Sequence, residues 1–122
     1  MAKRVLIVDD EPDIRTSVRQ AVESMGFEAK VAKNAKEGLG LLRKEKFDLA
    51  LLDIFMPKMS GRDMLEEIRK DPKIEKQRVA FLTVANLSEA GQGIVKSLKP
   101  VEYFQKPIDL NDFSKRLQKL LK

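Results

Sequence analysis

The sequence predicts an α/β fold, in which helices cover both faces of a five-stranded parallel sheet. Short apolar runs alternate along the chain with longer segments whose apolar residues recur at helical spacing. Two of the runs, Val5–Val8 and Leu49–Leu52, contain only apolar residues, as expected of central strands buried on both faces. Phe27–Val31 alternates between apolar and charged residues, which indicates a strand at the edge of the sheet.

The first three helices are predicted to begin at residues that favour a helix N-terminus. Pro12 is a good first helical residue, because its fixed φ suits the first turn and its missing N–H is not needed there. Asn34 with Glu37 three residues later resembles a capping pair, and Ser60 with Asp63 resembles another. We therefore expect a helix after each of the first three strands.

The alternation continues in the second half of the chain. Val79–Val84 and Val101–Phe104 are predicted as the fourth and fifth strands, with a helix over Asn86–Leu98 between them. Asp109 is predicted to cap a last helix, whose apolar face comprises Leu110, Phe113, Leu117 and Leu120. This helix ends with the chain, so we expect one domain over residues 1–122 with no output domain.

The composition limits the chemistry that the chain can perform. Of its 122 residues, 43% are hydrophobic and 35% charged, and no apolar stretch is long enough for membrane insertion. It contains no cysteine and no histidine, which excludes disulfides, thiol chemistry and imidazole ligands. We expect a cytoplasmic protein that binds any metal ion through oxygen atoms. The net charge of +5 is interpreted as a lysine-rich surface, with no nucleic-acid partner expected.

Polar residues stand where the predicted strands end. Asp9 and Asp10 follow the first strand, Asp53 the third, Thr83 lies near the end of the fourth, and Lys106 follows the fifth. Ligands of open parallel sheets bind outside the carboxyl ends of the strands, so these side chains should converge. Neighbouring carboxylates repel one another, and a divalent cation such as Mg²⁺ relieves that repulsion. A carboxylate nucleophile, a metal site and a lysine are the parts that phosphoryl transfer onto aspartate needs.

Four segments of the sequence resemble the receiver domains of two-component response regulators, in the extent of the single-domain chemotaxis type. They are VLIVDDEP at Val5–Pro12, DLALLDIFMPKMSG at Asp48–Gly61, FLTVA at Phe81–Ala85 and YFQKP at Tyr103–Pro107. The segments occur in order and at the predicted strand ends, and the resemblance covers the whole chain. It implies a flavodoxin-like doubly wound (βα)5 fold with strand order 2-1-3-4-5.

The resemblance also implies a role for each residue at the carboxyl edge of the sheet. Asp53 would accept the phosphoryl group, and Lys106 would contact it. Mg²⁺, or Mn²⁺ in its place, would be bound directly by Asp10 and mainly through water by Asp9. Asp53 and the backbone carbonyl of Phe55 would complete its protein ligands.

A second group of residues is implied to sense the phosphoryl group. Thr83 would move towards it and Tyr103 would turn inward behind Thr83, so that the two form a switch. The surface that changes would comprise the helix after Thr83, the fifth strand and the last helix. The resemblance further implies a cis peptide between Lys106 and Pro107.

The chain departs from the family pattern at several positions. Val84 stands where a small residue is usual, which predicts slow phosphorylation by small donors. Phe55 and Ala85 occupy positions that tune phosphoryl loss, and neither side chain can orient a water, so we expect slow self-dephosphorylation. Gly91 and Gly93 should weaken the helix in which they lie, which predicts a mobile readout helix.

The expected partners follow from what the chain lacks. Without histidine it needs a separate histidine kinase or phosphotransfer protein as donor, and without an output domain it needs a downstream protein target. It is expected to be a monomer or a phosphorylation-dependent dimer.

Three alternatives stay open. A receiver fold could serve as a constitutive protein-binding module. An Mg²⁺-dependent aspartyl phosphatase of the haloacid-dehalogenase type usually has a second Asp where Phe55 stands. A flavodoxin-like cofactor carrier would need a phosphate-binding loop after the first strand, and the sequence has none there.

Overall fold

The computed structural model describes residues 2–83 and 97–121, with the backbone alone at Thr83. Five strands form one parallel sheet: β1 Arg4–Val8, β2 Glu28–Ala32, β3 Leu49–Asp53, β4 Val79–Thr83 and β5 Glu102–Gln105. The strand order is β2-β1-β3-β4-β5, which confirms the predicted fold. The predicted strands β2 and β5 are each displaced by one residue from those observed.

Four helices are described: α1 Pro12–Ser24, α2 Ala35–Lys44, α3 Gly61–Lys70 and α4 Leu110–Leu121. The predicted caps are present. The side chain of Asn34 accepts a hydrogen bond from the N–H of Glu37, and Ser60 and Asp63 form a reciprocal capping box. The predicted helix over Asn86–Leu98 lies largely outside the described residues. Within the described residues, no helix has the length and apolarity needed to cross a membrane.

The sheet is covered on both faces because its central strands are apolar on both. Leu6 and Val8 of β1 pack in the layer that contains α2 and α3, whereas Val5 and Ile7 pack in the layer that contains α1 and α4. All five residues of β3 are buried. These unbroken apolar runs are what place β1 and β3 in the middle of the sheet.

The buried face of α4 differs from the predicted one. Phe113, Leu117 and Leu121 are buried, whereas Leu110 is 58% exposed, so its assignment to the apolar face was wrong. Leu110 is the first residue of the helix, which begins five residues after the end of β5.

Strand register brings the chemical residues to one edge. Val8 pairs with Leu52 and Asp53 with Leu82, so Asp9 and Asp53 stand side by side where β1 and β3 end. Gly61 fixes the approach of α3 to this edge, because a Cβ there would lie 2.2 Å from the carbonyl oxygen of Asp53. Only glycine therefore allows α3 to begin so close to Asp53.

Candidate phosphoryl-acceptor and metal site

Four carboxylates meet at the carboxyl edge of the sheet. One oxygen from each of Asp9, Asp10, Glu11 and Asp53 lies within 4.8 Å of the others. Asp9 is fully buried and Asp53 is 2% exposed, whereas Glu11 is exposed. The structure therefore brings together the three aspartates that the sequence indicated and adds Glu11, which sequence reasoning missed. Its only signal was its place directly after the Asp9–Asp10 pair.

Lys106 is the cation of this cluster. Its Nζ lies 2.7 Å from Oδ2 of Asp9, 3.2 Å from Oε1 of Glu11 and 3.6 Å from Oδ2 of Asp53. Burial disfavours the charged ammonium, but the surrounding carboxylates outweigh it and raise the pKa of Lys106. The side chain thus stays charged. The peptide between Lys106 and Pro107 is cis, as predicted.

The surroundings of Asp53 disfavour the ionised form of its carboxyl group. Burial raises its pKa, and the neighbouring charge of Asp9 raises it further, to about 7. Lys106 and the N–H of Phe55, which donates to Oδ1 of Asp53 over 3.1 Å, oppose this shift only in part. The metal-free site therefore takes up a proton near neutral pH rather than holding all its carboxylates ionised.

Asp9 accepts a backbone hydrogen bond with one carboxylate oxygen and faces a cation, the ammonium of Lys106, with the other. Its Oδ1 accepts the N–H of Glu11 over 2.9 Å, and its carbonyl accepts a hydrogen bond from Arg15 over 2.8 Å. Its Oδ2 is buried and has no aligned hydrogen bond among the described residues, so its contact with Lys106 is a bare ion pair. A buried oxygen of this kind, beside three more carboxylates, fits a divalent cation with oxygen ligands.

The remaining predicted site residues are described to different extents. Phe55 lies next to the acidic cluster with its side chain 52% exposed, and the role of its carbonyl as a metal ligand stays a prediction. Thr83 pairs with Gln105 through the sheet, but its side chain, like Val84, Ala85, Gly91 and Gly93, lies outside the described part of the chain. The predictions for these residues therefore stay predictions.

Tyr103 is half-buried and packs towards the sheet. Its ring centre lies 6.0 Å from that of Phe81, and burial raises the pKa of its hydroxyl. Its backbone carbonyl accepts a hydrogen bond from Arg116 over 2.6 Å.

Arg116 itself ties β5 to α4. It pairs with Glu102 at 2.6 Å and Asp112 at 3.0 Å, and its guanidinium lies 4.7 Å above the ring of Phe104. Sequence reasoning missed this network, because only its Asp112–Arg116 pair has helical spacing.

The family model of the response regulator receiver domain matches residues 5–118. The chain belongs to this family. The receiver domain is 37% identical over 105 residues to an uncharacterized 14.6 kDa protein of Leptolyngbya boryana, covering 86% of this chain and 79% of that protein. It is 35% identical over 109 residues to the response regulator protein PilR of Pseudomonas aeruginosa, covering 88% of this chain but 24% of PilR.

Solved structures of receiver proteins superpose closely on this receiver domain. The chemotaxis protein CheY4 of Vibrio cholerae has a TM-score of 0.90 at 26% identity, over 99% of this chain and 100% of that one. The response regulator TrrA of Thermotoga maritima, solved in complex with Mg²⁺ and BeF, has a TM-score of 0.83 at 33% identity. That match covers 98% of this chain and 99% of TrrA.

Proposed function

We propose that Asp53 of this receiver domain accepts a phosphoryl group from a histidine kinase or phosphotransfer protein, and that its phosphorylation controls a partner protein. The observation that carries the proposal is the setting of Asp53. Its carboxylate is buried at a strand end, 3.6 Å from the ammonium of Lys106 and among three further carboxylates. Receiver domains act as phosphoacceptors, so the group gained by Asp53 is a signal rather than a product released in turnover.

The donor set supports Mg²⁺ as the cofactor, with Mn²⁺ as a substitute. Asp9, Asp10, Asp53 and the carbonyl of Phe55 would hold the ion, since all supply oxygen ligands and Oδ2 of Asp9 has no aligned hydrogen bond. When bound, Mg²⁺ supplies positive charge next to the incoming phosphoryl oxygens. That TrrA was solved with Mg²⁺ and BeF is consistent with this assignment.

The chain's own residues complete the transfer. A carboxylate oxygen of Asp53 forms the new bond to phosphorus while the bond from phosphorus to the donor's imidazole nitrogen breaks. The donor's ring carries a proton on its other nitrogen, so it leaves as neutral imidazole. Lys106 already carries its charge in this pocket, so it can pair with a phosphoryl oxygen after leaving Glu11. Thr83 would donate its hydroxyl to a second oxygen.

Readout would pass through Thr83 and Tyr103 to the surface that includes β5 and α4. Tyr103 and Arg116 connect these two elements, so a movement of Tyr103 reaches the ion pairs of Arg116. The phosphoryl group would be long-lived, since the exposed side chain of Phe55 offers an attacking water no hydrogen bond. The domain would act in the cytoplasm, as a single domain over residues 1–122 that is monomeric or dimerises on phosphorylation.

Phosphorylation of the purified domain tests the proposal. The domain is incubated with acetyl phosphate and Mg²⁺, and intact mass is measured alongside the Asp53→Asn variant and an EDTA control. We expect one phosphoryl group on the wild type only, and only with the metal. Because Val84 predicts slow reaction with small donors, the incubation is continued until labelling reaches a plateau. A wild type that is still unmodified at the plateau, or equal labelling of the variant, would refute the assignment of Asp53. A partner bound equally with and without beryllofluoride would instead indicate a constitutive binding module.

A further inference from the structure

A second concave site lies at the amino end of the sheet, opposite the acidic cluster. We call it the amino-end cavity. It is formed by the start of β1, the loop between α2 and β3, and the loop between α3 and β4, and it has a volume of about 680 Å³. Cavities that bind small molecules commonly fall in the range of about 300–1,000 Å³. The proposed function makes no use of this end of the molecule.

The lining of the amino-end cavity is strongly basic. Its cations are Lys3, Arg4, Lys46, Lys73, Lys76 and Arg78. Only two carboxylates, Glu45 and Asp48, join them, and both are already engaged. Glu45 pairs with Arg4 and with Lys30 outside the cavity, while Asp48 accepts the backbone N–H of Arg4 over 2.8 Å.

The four lysines of the lining have no directly paired carboxylate among the described residues, although the charge of Lys73 acts on nearby Asp71, which pairs with Arg43. None of them forms an ion pair within residues 2–83 and 97–121. Arg78 donates to the carbonyl of Leu120 rather than to a carboxylate. Six cations and two carboxylates thus line this cavity, whereas four carboxylates surround Lys106 at the carboxyl edge of the sheet. Cations gathered around a cavity repel one another, and a bound anion would relieve that repulsion.

The floor of the cavity is apolar. Leu42 and Phe47 are buried, Ile74 is partly buried, and all three contribute to the lining. The guanidinium of Arg4 lies 4.8 Å above the ring of Phe47, and its edges are held by Glu28, Glu45 and the carbonyl of Lys46. Arg4 and Phe47 both line the cavity, so its wall includes a planar group that is fixed in position. Guanidinium groups stack well on flat aromatic rings, and lysines bind phosphate as point charges. The site therefore combines charge for phosphate groups with a flat and apolar surface for a ring.

We infer that the amino-end cavity binds a small phosphorylated ligand with an aromatic ring, of the nucleotide class. Its phosphate groups contact Lys46, Lys73 and Lys76, and its ring lies against Arg4 and the apolar floor. A nucleic-acid duplex would contact the basic rim with its phosphates but leave the apolar floor unused, and an acidic peptide would make no use of the planar surface.

Binding of ATP, in EDTA to exclude the metal site, tests the inference. Amide shifts of the ¹⁵N-labelled domain should change at residues 3–4, 45–48 and 73–78, and not at Asp9, Asp53 or Lys106. Adenosine and tripolyphosphate should each bind more weakly than ATP at the same residues. The double variant Lys73→Gln/Lys76→Gln should lower ATP affinity about tenfold. The matched control Lys33→Gln/Lys36→Gln removes the same charge from exposed lysines outside the lining and should lower it less than about twofold.

Four results would overturn the inference: no saturable ATP binding, equal losses in the two double variants, shifts centred on the acidic cluster, or tighter binding of an acidic peptide or a DNA duplex. Equal losses would mean that only net charge matters. Both double variants should still accept a phosphoryl group on Asp53, so failure here is distinguishable from failure of the receiver function.

Discussion

Two lysine–carboxylate pairs in this domain have the same length but different surroundings. Lys106 and Asp9 are 2.7 Å apart, with side chains 4% and 0% exposed, at the carboxyl edge of the sheet. Lys30 and Glu45 are also 2.7 Å apart, with side chains 49% and 27% exposed, beside the edge strand β2. Water screens the second pair and leaves the first unscreened. Distance alone therefore does not show which pair contributes more to the stability of the domain, since burial decides how strongly each charge depends on its partner.

The largest expected difference between the two regions is in the free energy of unfolding that is lost when each lysine is replaced in turn. Lys106→Met leaves buried carboxylates without their cation and should lower the free energy of unfolding of the metal-free domain by about 3–5 kcal/mol. Lys30→Met, the matched control, should lower it by less than about 1 kcal/mol. Urea unfolding at pH 8 in EDTA measures both. Equal losses would show that burial does not distinguish the pairs.

The pH dependence of stability should identify Asp53 as the strained acid of the buried region. Its pKa is raised from 3.8 to about 7 in the folded domain, so folding favours the protonated carboxyl. The resulting stability is fully present below about pH 4 and is lost as the pH rises through 7. Asp53→Asn should remove this loss and make the metal-free domain more stable than the wild type at pH 8, by about 2–4 kcal/mol.

Urea unfolding of both proteins between pH 4 and 8 in EDTA measures this difference. Parallel stability curves for the wild type and Asp53→Asn would contradict the prediction. Saturating Mg²⁺ should reduce the advantage of the variant, because the cation compensates the ionised carboxylates of the wild type.

An added methyl group should cost stability beside Asp53 but not on the open side of α2. Gly61→Ala would force the start of α3 away from the carbonyl of Asp53, so we expect a loss of about 2 kcal/mol. At Gly40, in α2, a Cβ would meet nothing within 4 Å, so Gly40→Ala should stabilise the domain by up to about 1 kcal/mol. Thermal unfolding compares them. A tolerated Gly61→Ala would show that α3 moves freely against β3.

The smallest expected effect is on Mg²⁺ affinity, when Glu11, an exposed acid of the cluster, is changed. Glu11→Gln removes one carboxylate from the metal site while leaving the buried acids in place, and should weaken Mg²⁺ binding about fivefold, or about 1 kcal/mol. Asp13→Asn, at an exposed acid of the same helix end outside the cluster, is the control and should change it by less than about twofold. Calorimetric titration with Mg²⁺ measures both. Equal changes would place Glu11 outside the site.

The sequence predicted those parts of the site that directly follow buried strands. Asp9 and Asp53 interrupt apolar runs, and strand register then brings them together, so a local pattern and one rule of parallel sheets were sufficient. Glu11 was missed because its contact with Lys106 joins positions 95 residues apart, which no local pattern shows.

Two features could not be predicted from the sequence, because they depend on where helices, strands and loops lie relative to one another. Leu110 has the right spacing for the buried face of α4, but it is the first residue of that helix and its side chain is exposed. The amino-end cavity is assembled from two loops and a strand start, and loops have no periodicity that predicts which side chains face one another.

The strained carboxyl of Asp53 has a consequence for the order of events in signalling. A protonated acid is a poor nucleophile, so near neutral pH a large share of metal-free molecules cannot react with a donor. Under the proposed function, a cation bound first would favour the ionised carboxylate and so raise the fraction of molecules that can react with the donor protein. The rate of phosphorylation would then depend on the concentration of the ion as well as on the activity of the kinase.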